Sequence, residues 1–167
     1  MPHVLIYTDG GAIGNPGPGG YGCVLLNKSH RRELFGGFRL TTNNRMEIMA
    51  AVAALRALKT QSVVTLYSGS KHVVEWMTTG LVGKWKTNEW RRGRKGRVLN
   101  VDLWQELLRL CSQHDVTFAW LGGHAGHPEN ERCEQLSQQA ARRKDLPPDT
   151  SYEMEHTQSG QSSSDQA

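Results

Sequence analysis

The sequence has few cysteines and no long apolar run, and each shortage excludes a class of protein. The three cysteines, Cys23, Cys111 and Cys133, are far apart and odd in number, and none forms a Cys-x-x-Cys pair. This pattern argues against a disulfide framework and a cysteine zinc site, and it favours a reducing compartment. No apolar stretch approaches transmembrane length, and the N-terminus lacks the apolar region of a signal peptide. We therefore expect a cytoplasmic protein without a membrane segment.

Apolar side chains are also scarce, since they make up only 37% of the 167 residues. A chain of this length has room for one domain with a single core. Part of the shortage lies in residues 151–167, which hold five serines and neither lysine nor arginine. We expect one domain over residues 1–146 and a disordered tail over residues 147–167, with a partner-binding tail as the alternative.

Positive charge is concentrated in one block, although the net charge is only +4. Seven of the twenty basic residues lie between Lys84 and Arg97, where Glu89 is the only acid. Such a block is either an ordinary solvated surface or the electrostatic footprint of a polyanion site.

The apolar periodicity predicts a mixed α/β sheet with helices on its faces. Three strands come first and form an antiparallel meander, and helices and strands then alternate. The glycine-rich stretch 10–20 is expected to be a loop. The predicted strands are residues 3–9, 21–27, 33–40, 63–67 and 116–121, and the predicted helices are residues 43–59, 70–79, 101–111 and 129–143.

Three acids stand at positions that suit a metal site. Asp9 ends the first predicted strand, Glu47 lies one turn into the first predicted helix, and Glu134 lies early in the last one. Acids from separate elements that converge at one end of a sheet suit Mg²⁺, which takes oxygen ligands and keeps several waters. Spacing alone leaves a second interpretation open, in which all three are solvated acids and Glu47 interacts with the helix dipole.

Longer strings surround these residues. Asp9 stands in YTDGGAIGNPGPGGYG, Glu47 in TTNNRMEIMAA and His124 in GHAGHPENERCEQL, and NVDLW occupies residues 100–104. In this order the strings resemble the ribonuclease H family, specifically its bacterial type 1 enzymes, over residues 3–143. The resemblance implies a five-stranded mixed sheet flanked by helices. It also implies endonucleolytic cleavage of the RNA strand of RNA–DNA hybrids, which leaves 3′-hydroxyl and 5′-phosphate ends.

The resemblance further implies two Mg²⁺ or Mn²⁺ ions ~4 Å apart, which form a clamp for in-line phosphoryl displacement. Asp9 would bridge both ions and Glu47 would help hold the one on the leaving-group side. Glu134 takes the place of a family Asp that serves the nucleophile side. His124 matches the histidine thought to assist proton transfer or product release, and its titration near neutrality suits that role. Without the family, a histidine on a loop is more often an ordinary surface residue.

The sequence departs from the family at the fourth carboxylate. The family has an Asp after the fourth strand, in a string like L-x-T/S-D-S, whereas this chain reads LYSGS with Gly69 at that place. Glycine supplies neither an oxygen ligand nor a charge, and the hydroxyls of Ser68 and Ser70 are weak Mg²⁺ ligands. We expect weaker metal binding and a rate lower by orders of magnitude. Three accounts fit: a natural member with weak or lost cleavage, a deliberately disabled variant, or a site completed by an unconventional ligand.

The basic block resembles the protruding handle with which bacterial type 1 enzymes grip the DNA strand. Its cations would provide affinity for phosphates that weakens steeply with salt. Its tryptophans could pack on sugars, and Trp85 could equally anchor the arm to the body. The block, which we call the handle over residues 81–98, contains Trp85, Lys86, Trp90, Arg91, Arg92, Arg94, Lys95 and Arg97.

Polar residues elsewhere match the family's other contacts with the hybrid. They are Asn15, Thr42, Asn43, Asn44 and Ser70. Free amides at a helix N-terminus can receive a DNA phosphate, although Thr42 and Asn43 could simply cap the helix. RNA would be distinguished from DNA through contacts to its 2′-hydroxyls.

Three functions are therefore in competition. The first is a ribonuclease H enzyme, slowed by the change at Gly69. The second is a pseudoenzyme that binds hybrids without cutting them. The third, an integrase- or resolvase-like nuclease on the same architecture, is disfavoured by the GHAGHPENER string and by the handle. We expect a monomer in each case.

Overall fold

A five-stranded mixed sheet forms the centre of the protein, as the sequence predicted. The computed structural model describes residues 1–28, 30–121 and 126–158. The strands are β1 (His3–Ala12), β2 (Gly17–Asn27), β3 (His30–Thr41), β4 (Val63–Ser68) and β5 (Asp115–Trp120). Their order in the sheet is β3-β2-β1-β4-β5, with the first three strands antiparallel and β4 and β5 parallel to β1.

Helices cover both faces of this sheet. The helices are α1 (Asn43–Arg56), α2 (Lys71–Thr78), α3 (Leu81–Thr87), α4 (Val101–Cys111), α5 (Pro128–Ala141) and α6 (Thr150–Gln158), and a short 3₁₀ turn spans Gly93–Lys95. Successive side chains of a strand point to opposite faces, and in β1 both faces are apolar. Ile6 belongs to the large core beneath α1 and α4, whereas Tyr7 packs with Val24 and Cys133 beneath α5.

The glycine-rich stretch is mostly strand, so the predicted loop over residues 10–20 is wrong. β1 continues to Ala12 and β2 already begins at Gly17. Glycine is used here for close packing: a Cβ on Gly22 would lie 2.5 Å from the Cys133 carbonyl oxygen of α5. A strand glycine without a side chain lets a helix backbone approach the sheet.

Residues 147–158 are ordered, so the predicted disorder of this part of the tail is wrong. Asp149 and Tyr152 are buried, and Arg39 of β3 forms a 2.8 Å salt bridge with Glu153 of α6. Ion pairs and one aromatic ring hold this helix to the body, so no apolar periodicity marks it in the sequence. Residues 159–167 lie outside the described residues. Within the described ranges, no helix is long and apolar enough to cross a membrane.

Candidate active site and nucleic-acid interface

Asp9 and Gly69 lie side by side where the parallel pairing of β1 with β4 ends. β1 and β4 stay in register up to the pair of Thr8 with Ser68. The Gly69 amide then donates a 3.0 Å hydrogen bond to the Thr8 carbonyl oxygen. Both positions are therefore at the carboxyl edge of the parallel strands, which is where open α/β sheets commonly bind ligands.

Glu47 reaches the same edge because Gly10 has no side chain. A Cβ on Gly10 would collide with the Met46 carbonyl group and lie 2.8 Å from the Glu47 amide nitrogen. The first turns of α1 therefore rest directly on β1. The Ser70 side chain, just beyond the end of β4, interacts with the Glu47 carboxylate of α1 and lowers its pKa.

Glu134 approaches Asp9 from the opposite face of the sheet, on α5. The two carboxylates line one open cleft between residues 10–13, where β1 ends, and the side of α5 that carries Ser137 and Gln138. Glu134 is exposed, and its Oε1 accepts a 3.2 Å hydrogen bond from Gln138. The cleft is open to solvent, so a long polymer can enter it.

Negative charge is concentrated around Asp9. Burial, together with the charges of Glu134 and Glu47, raises the pKa of Asp9 to about 6, against a lowering hydrogen bond from the Gly10 amide. Burial likewise raises the pKa of Glu47, although Ser70 and the nearby His72 act in the opposite direction. Within the described ranges, none of the three carboxylates forms a salt bridge with lysine or arginine.

This donor set fits a divalent cation that also needs other ligands. In the described part of the chain, no group of three or more His, Cys, Asp or Glu side chains forms a preformed metal cage. Mg²⁺ does not require one, since it is usually held by one or two carboxylates together with waters and substrate phosphates. Asp9 and Glu47 on one side, and Asp9 and Glu134 on the other, are carboxylates of this kind.

Gly69 is compatible with a side chain. Its backbone lies outside the left-handed region, so glycine is not required for its conformation. A Cβ at this position would lie 2.8 Å from Oδ1 of Asp9 and 3.4 Å from its Cγ. A small rotation of the Asp9 side chain would relieve that contact, and a carboxylate at position 69 would then lie directly beside Asp9.

The predicted contacts Asn15, Thr42 and Asn43 are together at the start of α1. Thr42 caps the helix by accepting a 3.2 Å hydrogen bond from the Arg45 amide. Asn15 Oδ1 accepts from the Asn43 amide at 3.0 Å, and Asn43 Oδ1 accepts from the Ala12 amide at 2.7 Å. Thr42 therefore caps α1, and the hydrogen bonds of Asn15 and Asn43 fix the turn between β1 and β2 to the start of this helix.

A pocket beside the carboxylates brings together four other predicted contacts, Asn44, Ser70, Trp85 and Arg92. Trp76, Trp85 and Trp104 form its aromatic floor, with ring centroids 5.2 to 6.2 Å apart. We call it the aromatic pocket. Its rim carries amide, hydroxyl and guanidinium donors, a combination that suits the sugar and phosphate of a nucleic-acid backbone.

Trp85 is an anchor, which decides between the two roles that the sequence left open. Its side chain is 5% exposed and belongs to the main core. The Arg92 guanidinium lies over its ring at 5.5 Å, so the basic block folds back onto this anchor. A tryptophan buried to this degree has little surface left for a sugar.

The cations of the handle are exposed. Lys86 and Arg91 project from α3 and from the short hairpin in which Arg91 pairs with Arg97, whereas Trp90 is half-buried against the core. They do not line the aromatic pocket. The handle is therefore a strip of cations outside the pocket, with Arg92 as the link between them.

Three residues of this region were not singled out as contacts from the sequence. Asn100 and His72 line the aromatic pocket, and Arg45 is buried behind it. The NVDLW string contains Asn100 and offered a clue to its role. Arg45 stands in the TTNNRMEIMAA string, which did not indicate its role, and no sequence pattern indicated His72. The predicted residue His124 and its glycine neighbours lie outside the described residues.

Comparisons with known proteins agree with this geometry. A family model described as RNase H matches residues 1–142. The Ribonuclease H of Syntrophus aciditrophicus is 57% identical over 149 residues, which cover 89% of this chain and 86% of that protein. The Ribonuclease H of Rippkaea orientalis is 55% identical over 150 residues, which cover 90% of this chain and 92% of that protein.

Solved structures give the same result for the fold. LC9-RNase H1, described as a type 1 RNase H with the type 2 active-site motif, is 32% identical with a TM-score of 0.75. The alignment covers 84% of this chain and 72% of that one. LC11-RNase H1, solved in complex with an RNA/DNA hybrid, has a TM-score of 0.57 at 23% identity, and the alignment covers 83% of this chain and 96% of that one. The second likeness concerns the fold alone.

Proposed function

Because the chain belongs to the ribonuclease H family, we propose that it binds RNA–DNA hybrids and cleaves their RNA strand slowly. The observation that carries this proposal is the position of Ser70. Its hydroxyl acts on the Glu47 carboxylate and lowers the pKa of that group, and the same residue lines the aromatic pocket. A backbone seated in the pocket would therefore continue directly to the carboxylates.

The three carboxylates have the role of holding divalent cations, Mg²⁺ or Mn²⁺. Asp9 is the carboxylate on which the charges of both Glu134 and Glu47 act, so it would hold cations together with either neighbour. When bound, such cations stabilise the charge that develops on the transferred phosphoryl group and activate water. We assign His124 to proton transfer or product release, following the resemblance of its GHAGHPENER string.

Gly69 supports the view that turnover is slow. A Cβ at this position would lie 2.8 Å from Oδ1 of Asp9, so a carboxylate there would stand beside Asp9 once that side chain shifts, but the position carries none. One negative charge is therefore missing where two dications have to be held together. The same observation favours a second candidate function, a hybrid-binding pseudoenzyme.

Hybrid recognition depends on the aromatic pocket and the handle. Arg92 and the exposed cations Lys86 and Arg91 would neutralise phosphates of the DNA strand. The residues at the start of α1 would meet the hybrid nearer the carboxylates. We further propose a cytoplasmic monomer, and the three free cysteines are consistent with a reducing compartment.

Binding and cleavage assays on one labelled hybrid test the proposal. Matched double-stranded DNA and double-stranded RNA serve as competitors, and cleavage is followed in Mg²⁺ and then in Mn²⁺. We expect preferential binding of the hybrid and slow cutting of its RNA strand. No preference for the hybrid would overturn the proposal, whereas preferential binding without turnover in either metal would select the pseudoenzyme.

A charge-matched pair of variants tests the role of the handle. Arg92→Gln removes a cation from the pocket rim, and Arg109→Gln removes one from the exposed side of α4. Only the first should weaken hybrid binding, and it should reduce the salt slope by about one. Equal effects of the two variants would show that overall charge, and not the pocket, governs affinity.

A further inference from the structure

Arg45 is a buried cation whose partners come from two separate parts of the chain, residues 100–102 and Asp149. It lies in the first turn of α1 and is 2% exposed. Its Nε and Nη2 donate to the Asp149 carboxylate at 2.7 and 3.0 Å, and its Nη1 and Nη2 donate to the Asp102 carboxylate at 2.9 and 2.7 Å. Nη1 also donates to Oδ1 of Asn100 at 3.4 Å.

Only a guanidinium can make this set of contacts. Its planar fork binds two carboxylates in a bidentate manner, whereas a lysine ammonium is a point donor. A buried ion pair is a weak source of stability, because desolvation of the charges offsets much of their attraction. The arrangement also affects Asn100, whose side-chain amide is held by Arg45.

Asn100 stands between Arg45 and the aromatic pocket. It precedes α4 in a left-handed conformation, with φ of 62°, and it lines the pocket with Arg92. Because its Oδ1 accepts from Arg45, the hydrogens on its Nδ2 are the donors left for the pocket. Phosphate oxygens are acceptors, so this orientation of the amide is the one that can bind a nucleic-acid backbone.

Asp149 connects the same network to the C-terminal segment. Its Oδ2 also accepts a 2.7 Å hydrogen bond from the Thr41 hydroxyl, immediately before the α1 cap. Asp149 directly precedes α6 and lies beyond residues 1–142, the range that the family model matches. The C-terminal segment thus contacts the residue that orients Asn100.

We propose that Arg45 is a positioning residue that couples the C-terminal segment, through Asp149, to the aromatic pocket, through Asn100. The proposal depends on the proposed function, since it concerns the affinity for RNA–DNA hybrids. Asp149 holds one side of the guanidinium, Asp102 holds the other, and Asn100 is thereby presented as a donor.

A double-mutant cycle on hybrid affinity tests the coupling. Asp149→Asn and Asn100→Ala are made singly and together, and the Kd for a labelled hybrid is measured in EDTA by fluorescence anisotropy. Each single change should raise the Kd about tenfold, and the double variant should be no weaker than Asn100→Ala alone. Arg45→Lys provides a second cycle if Asp149→Asn fails to fold.

Glu153→Gln is the matched control, because it removes the exposed tether of α6 to Arg39 without touching Arg45. It should leave the Kd unchanged. Additive losses in the cycle, an unchanged Kd for folded Asp149→Asn, or an equal loss in Glu153→Gln would each overturn the coupling while hybrid binding itself stands. If the unsubstituted chain shows no preference for the hybrid, the proposed function fails and the coupling fails with it.

Discussion

Arg45 and Asp9 are both buried charged side chains near the start of α1, yet their surroundings are opposite. Arg45 is enclosed by two carboxylates and an amide oxygen, so its charge is neutralised within the protein. Burial raises the pKa of Asp9, and the negative charges of Glu134 and Glu47 contribute to its value of about 6. The charge of Arg45 is compensated by carboxylates of the protein itself. Within the described residues, no lysine or arginine forms a salt bridge with Asp9 or its two neighbouring carboxylates.

This difference leads to separate predictions for the binding of a hybrid and for its cleavage. The aromatic pocket is built on a packed floor and a satisfied ionic network, so it keeps its shape without a ligand. The carboxylate cluster lacks counter-charge within the described residues and also lacks an acid at Gly69. Changes at the cluster should therefore affect cleavage and pH dependence, whereas changes at the pocket should affect stability and hybrid affinity.

Gly69→Asp should have the largest effect, because it restores a carboxylate beside Asp9. We expect cleavage of a labelled hybrid in Mg²⁺ to accelerate by roughly 1000-fold, which corresponds to about 4 kcal/mol of transition-state stabilisation. Single-turnover rates measure it directly.

Gly69→Asn is the control, since it adds almost the same volume without the charge. It should leave the cleavage rate within a few-fold of the unsubstituted chain. Equal rates for the Asp variant and the unsubstituted chain would mean that the missing carboxylate does not limit turnover.

Trp85→Ala should cause the next largest effect, on stability. It removes a ring that contacts Trp76 and Trp104 in the core, and such truncations cost about 3 kcal/mol or more. Urea denaturation measures the loss. Trp120→Ala is the comparison, because Trp120 is 45% exposed and its truncation should change stability little. Equal losses would contradict the anchoring role.

Asp9→Asn should stabilise the protein at neutral pH in EDTA. The folded-state pKa of Asp9, about 6, is above its ordinary value of 3.8, so the folded state binds the proton more tightly than the unfolded state. Stability therefore falls as the pH rises from about 4 to 6 and stays lower above that range. The substitution should recover up to about 3 kcal/mol at pH 8 and nothing below pH 4.

Mg²⁺ provides the contrasting measurement for this prediction. It should stabilise the unsubstituted chain at pH 8 and have less effect on Asp9→Asn, because the variant loses a ligand. Thermal unfolding with and without the metal gives both values. Asp115→Asn, at an exposed acid on the opposite end of the sheet, should show neither effect. A pH-independent difference between Asp9→Asn and the unsubstituted chain would contradict the assigned cause.

The sequence predicted the sheet and the residues of the carboxylate cluster better than the network behind the pocket. Strands and long helices follow from apolar periodicity, and Asp9, Glu47 and Glu134 stand in long motifs. Arg45 could not be assigned in this way, because its partners lie more than fifty residues away along the chain. Burial of Trp85 depends on α3, a short helix that contains Gly83 and has no apolar period.

The prediction of disorder for residues 147–158 was wrong for a related physical reason. α6 is held by Asp149, Tyr152 and the salt bridge of Glu153, so its order depends on specific contacts with β3 and α1 and not on composition. The loop prediction for residues 10–20 was wrong because glycine can also occupy a strand where a helix packs closely against the sheet. In this sheet it provides space for α1 and α5.

The ordinary backbone conformation of Gly69 has an evolutionary consequence. Some glycine codons become aspartate codons through one base change, and no rearrangement of the main chain is required to receive the new side chain. A population that depended on removal of RNA from hybrids would find this change quickly. Persistence of glycine under such selection would therefore indicate that cells benefit from a protein that holds hybrids longer than it cuts them.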